Sequence, residues 1–163
     1  MRVEGSGFRV QGSGFKIVGM KSLITVAACC LLLAGPLWGE GSEPAPCALM
    51  TKAEAATIFG ELKGEPKPDT GLLEEKQCGY ENMKGSWLKL SVYPSDRWGM
   101  RKFTVIEMNP ENISGLGEEA FAVKRGTDAE VYVRKGEWIL EVRSTSGRGI
   151  TQKIAEVAVK KMP

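Results

Sequence analysis

Glu130-Val131-Tyr132-Val133-Arg134-Lys135-Gly136-Glu137-Trp138-Ile139-Leu140-Glu141-Val142-Arg143 reads as two strands folded on one turn. Apolar and polar residues alternate on both sides of Lys135-Gly136, which is the period of a half-buried sheet. With Lys135 and Gly136 as a two-residue turn, Arg134 faces Glu137, Val133 faces Trp138 and Val131 faces Leu140. The expected core face is therefore Val131, Val133, Trp138, Leu140 and Val142. On the other face this register sets Glu130 opposite Glu141, and Arg143 opposite Asp128.

The same period extends outward. A strand over 119–124 joins the hairpin through Arg125-Gly126-Thr127-Asp128, a turn by composition. Further upstream, 77–82 carries Cys78 and Tyr80 on one side, turns at Met83-Lys84-Gly85, and returns as 86–93 with Leu88, Leu90 and Val92 on one face. Two helices flank these strands. Thr51-Lys52-Ala53-Glu54 is a capping box opening an alanine-rich helix that Gly60 is placed to end. Over 150–162, Ile150, Ile154, Val157 and Ala158 recur at helical spacing, so a last helix should lie on the sheet. Residues 61–76, rich in Pro, Gly and charge, read as a surface loop. Within 94–117, a helix opened by Ser95 competes with a strand through Phe103-Thr104-Val105-Ile106; the expectation is a helix early and a strand late. Gly115-Leu116-Gly117 lacks a third glycine and precedes a strand, so it reads as a turn needing positive φ and not as a phosphate loop.

The chain of 163 residues begins with a segment of different character. After Lys21 comes an apolar core of twelve residues, Leu23 to Ala34, broken by Gly35-Pro36 and followed by Gly39-Glu40-Gly41-Ser42. That is the form of an export leader over 20–41, cut near Gly39 or Gly41, and it is short for a membrane span. Retention of the leader as an anchor and lipidation at Cys29 in Val26-Ala27-Ala28-Cys29 are the alternatives, and either would tether the protein to a membrane. Residues 1–19 hold a seven-residue motif written twice, from Arg2 and from Arg9, which reads as a non-native extension upstream of initiation at Met20. What remains, 42–163, is the length of a single α+β domain.

Composition excludes several function classes. Residues 1–41 hold four of the 22 Lys+Arg and two of the 20 Asp+Glu, leaving the remainder neutral, which argues against a nucleic-acid partner. With no histidine in the chain, the usual general base, zinc ligand and triad member are missing, and no cofactor is expected. Cys47 and Cys78 are the only cysteines after the leader and, in an oxidising compartment, should pair. Closing that loop would stabilise the fold by roughly 3.7 kcal/mol.

Two sets of side chains are candidates for a site. Trp87, Lys89, Ser91 and Tyr93 share the strand face away from Leu88, Leu90 and Val92, and Trp98 follows. A second core layer is the expected fate of these rings, and a ligand or partner surface of Trp87, Tyr93 and Trp98 is the alternative. The second set is Asp128, Glu130 and Glu141, whose like charges would be relieved by a calcium ion or by Arg143.

Cys47 before a short helix ending at Gly60, Cys78 in a strand, Gly115-Leu116-Gly117-Glu118-Glu119-Ala120-Phe121, Val133-Arg134-Lys135-Gly136 and the amphipathic last helix together resemble small uncharacterised bacterial envelope proteins and lipoproteins. Some of that group are similar to receptor-kinase sensor domains, and their fold is Mog1/PsbP-like. The resemblance implies an α+β sandwich on an antiparallel sheet and no catalytic residues. It leads to the expectation of a periplasmic or secreted, non-catalytic binding module for a small ligand, a glycan or an envelope protein. A carboxylate-based hydrolase, with or without calcium, and a purely structural accessory protein are the alternatives.

Overall fold

The computed structural model describes residues 43–71 and 75–163. The expected leader, Cys29 and the duplicated motif lie outside them. Helices α1 (Pro46–Leu49) and α2 (Lys52–Phe59) come first, then β1 (Lys67–Thr70), β2 (Lys76–Glu81) and β3 (Trp87–Pro94). Helix α3 (Trp98–Val105) sits between two single 3-10 turns and leads to β4 (Glu111–Asn112), β5 (Glu119–Arg125), β6 (Asp128–Lys135), β7 (Trp138–Ser144) and α4 (Arg148–Val159). The seven strands form one antiparallel sheet in the order β1-β2-β3-β7-β6-β5-β4. This is the expected α+β arrangement, with α4 packed on the sheet. Among the described residues no helix is long and apolar enough to cross a membrane.

Alternation divides the sheet's side chains between two cores. Leu88, Leu90, Val92, Val131, Val133, Leu140 and Val142 point to the face covered by α1, α2 and α4, where they meet Ile154, Ala155 and Ala158. Tyr93, Phe121, Val123, Tyr132 and Ile139 point the other way, beneath Trp98 and Val105 of α3. Central strands covered on both sides are buried at nearly every position, as β6 is.

Local chemistry sets the element ends. Thr51 N donates to Glu54 Oε2 at 2.8 Å and Glu54 N to Thr51 Oγ1 at 3.3 Å, the reciprocal capping box. Lys161 reaches Glu54 at 2.5 Å, and these contacts hold the Glu54 carboxyl down at about 2. Disulfide Cys47–Cys78 forms as expected and ties α1 to β2. Beside it the buried Tyr80 hydroxyl donates to Met50 O at 2.7 Å, and burial raises that phenol to about 12. Gly115 and Gly117 take positive φ, so the glycine pair is a turn; an added Cβ at Gly117 would lie 2.5 Å from Arg134 O.

Four expectations are corrected. The 61–76 loop contains β1, a fully exposed edge strand with Pro68 in it. Phe103, Thr104 and Val105 are helical, and the late strand of 94–117 is only Glu111–Asn112. The turn of the β6–β7 hairpin is Gly136-Glu137, with Lys135 paired to Trp138. Gly136 has φ 56° while Glu137 lies outside the positive-φ region, the pattern of a II′ turn, which wants glycine first and not second. The pairing therefore slides by two residues: Glu130 faces Arg143 and Glu141 faces Tyr132, so the expected Glu130–Glu141 opposition is absent. A slip of two preserves every side chain's face, so the expected core face stands.

Candidate functional site

Helix α3 covers only part of the second face of the sheet. Beneath it Phe121 stacks on Tyr132 at 4.9 Å between ring centroids, and Trp98 lies 5.1 Å from Phe121. Trp98 Nε1 donates to Glu119 Oε2 at 2.6 Å, and Lys102 reaches the other oxygen at 2.5 Å; these two contacts lower the Glu119 pKa. Tyr93 is 1% exposed and Trp98 7% exposed. Two of the three aromatic candidates are thus core, as a second layer requires. Trp87 is not with them.

Trp87 stands in a groove of about 340 Å³ on the half of this face that α3 leaves open. Its floor is three neighbouring strands: Gln77 from β2, Lys89 and Ser91 from β3, Glu141 and Arg143 from β7. In register, Gln77, Ser91 and Glu141 form one row across the sheet, and Gly79, Lys89 and Arg143 the next. Arg101 of α3 and Glu75, which precedes β2, close one side.

The charges in the groove hold one another. Arg101 pairs with Glu75, its NH1 lies 3.8 Å from Glu141, and its guanidinium sits 4.3 Å above the Tyr93 ring. Glu141 accepts from the Tyr93 hydroxyl at 2.9 Å. Burial lifts the Glu141 pKa above the carboxylate range, with Arg101 and the Tyr93 hydrogen bond opposing. Burial, and next the charge of Glu141, pushes both the Tyr93 and Tyr132 phenols well up. Arg143 lies 5.3 Å over Trp87 and donates to Asp128 Oδ2 from Nε at 3.0 Å.

Asp128, Glu130 and Glu141, the candidate calcium ligands, share this face but are engaged by protein donors. Glu130, 1% exposed, accepts from Arg125 Nε and from the Tyr132 hydroxyl, both at 2.8 Å, with Arg143 Nε at 3.3 Å. Among the described residues no group of three acidic or sulfur side chains comes together as a metal site. A carboxylate whose oxygens each accept from a fixed donor positions those donors, here two arginines and a tyrosine. Arg101 and Glu75 were not legible as site residues, because a helix and a loop far apart in sequence deliver them. Period-two alternation did place Trp87, Lys89 and Ser91 on a common face.

No known protein family and no curated protein matches the chain. Among solved structures it is similar to a GTP binding regulator from Thermotoga maritima, with a TM-score of 0.42 and 11% identity over 69% of this chain and 90% of that one.

Proposed function

We propose that the chain is a non-catalytic binding module exported to the bacterial cell envelope, and that the groove at Gln77, Trp87, Lys89 and Ser91 takes its ligand, a small molecule, a glycan or a partner's surface. The observation that carries the reading is a polar groove with an aromatic wall on a sheet face otherwise sealed by a helix. A groove of this size is large enough to hold a small ligand. Support for export comes from the apolar leader in the sequence and from the Cys47–Cys78 bridge, which suits an oxidising compartment. The hydrolase reading gains nothing here, since Asp128, Glu130 and Glu141 are all held by arginines or tyrosines.

Two measurements on native protein test this. Intact mass with and without reduction should give a chain starting near Gly39 or Gly41 that takes up alkylating reagent only after reduction. Cross-linking in intact cells should capture a ligand or partner on the wild type and lose it on Trp87→Ala. A full-length cytoplasmic chain with both thiols reactive overturns the export; equal capture by both forms overturns the groove.

A further inference from the structure

Lys89 is anomalous among the charges of the groove. Arg101 is balanced by Glu75 and Glu141, and Arg143 by Asp128 and Glu130. None of the ion pairs among the described residues uses Lys89. Its cross-strand neighbour on β7 is Arg143, a like charge with Cβ atoms about 5 Å apart, an arrangement that destabilises a sheet. On the β2 side its neighbour is Gly79, where an added Cβ would meet only Lys67 O, at 3.8 Å. The fold therefore keeps a cation with no ion pair among the described residues beside open space, next to the Ser91 hydroxyl and the Gln77 amide, whose Oε1 is buried with no hydrogen-bond partner among the described residues.

We propose that the groove binds a singly charged sugar acid, with its carboxylate on Lys89, its hydroxyls on Ser91 and Gln77, and its ring against Trp87; this rests on the groove being the binding site. One cation without an ion pair among the described residues matches one negative charge. A phosphate dianion would call for a second unpaired cation, and both arginines are already neutralised. Hydroxyl and amide groups at the floor match a polyhydroxylated body, and an aromatic wall matches the apolar face of a pyranose ring.

Calorimetric titration of the oxidised protein at low ionic strength, with glucuronate, glucose and inorganic phosphate as separate probes, tests the proposal. Amide NMR shifts at Lys89 and Ser91 locate the binding. Glucuronate should bind about tenfold or more tightly than glucose, and Lys89→Gln should remove that preference, as expected for loss of one charge-assisted hydrogen bond. Without ligand, Lys89→Gln should melt no lower than the wild type, because Lys89 has no ion pair among the described residues to lose. Trp87→Ala should weaken both sugars. Equal affinity for glucose and glucuronate, or tighter binding of phosphate, overturns the sugar-acid assignment and leaves the groove standing. Absence of shifts at Lys89 and Ser91 with all three probes overturns the assignment; if Trp87→Ala also captures as much in cells as the wild type, the groove falls with it.

Discussion

Replacing Glu130 by glutamine decides between two registers of one hairpin by the sign of a stability change. If Glu130 faced Glu141, as a Lys135-Gly136 turn would require, neutralising it would relieve repulsion and leave the protein as stable or more so. With Gly136-Glu137 as the turn, Glu130 faces Arg143 and accepts from Arg125 Nε and the Tyr132 hydroxyl, with Arg143 beside it as an ion pair at 3.3 Å. The two arginines are about 40% exposed, so each ion pair is discounted to about 0.5 kcal/mol. Turning the buried tyrosine's charge-assisted bond into a neutral one costs about 1 kcal/mol more. Glu130→Gln should thus destabilise by about 2 kcal/mol, or about 8 °C in melting temperature for a folded part of this length. Glu130→Ala should cost about 4 kcal/mol, since the Tyr132 hydroxyl, in a residue 2% exposed, is left without an acceptor. Urea unfolding of the oxidised protein followed by tryptophan fluorescence reads both values. A Glu130→Gln variant equal to or more stable than the wild type would refute the register and the role given to the carboxylate.

Two further outcomes follow from the structure. Glu141 has its folded-state pKa raised by burial, so its contribution to stability is fully present below the unfolded value of 4.5 and is lost as pH rises through the higher folded value. Glu141→Gln should accordingly gain on the wild type across that window, and a difference independent of pH between 4 and 8 would count against it. Gly117→Ala combines an unfavourable positive φ with a methyl 2.5 Å from Arg134 O, and should cost at least about 2 kcal/mol, whereas Gly115→Ala, with open space, should cost only the backbone term of about 1 kcal/mol. Denaturation midpoints of the two variants compare directly, and equal values would be incompatible with the close approach.

What could be read from residues alone was whatever local pattern determines. Thr51-to-Gly60 and the face alternation of β3, β6 and β7 came through because a capping box and a period of two act over a few positions. Strand β1 did not, since Lys67-Pro68-Asp69-Thr70 is exposed at every position and takes its strand form from pairing to β2. The early helix of 94–117 came through as α3, but its reach through Phe103-Thr104-Val105 did not, since Phe103 is 76% exposed and marks no buried stripe. The groove was half legible: alternation put Trp87, Lys89 and Ser91 together, but tertiary packing brought Arg101 and Glu75 to them. Lys135 was another unsignalled contact, donating from the end of β6 to Val159 O, in the last residue of α4, at 3.3 Å and to Met162 O at 2.6 Å.

An open sheet has two raw margins at which a neighbouring molecule's chain can add itself, and here both are blunt. At one margin Pro68 removes an amide and Lys67 adds charge; at the other, β4 is two residues long. Neither offers the long, flat template that seeds polymerisation. The sheet thus resists growth by strand addition at either margin without recourse to barrel closure.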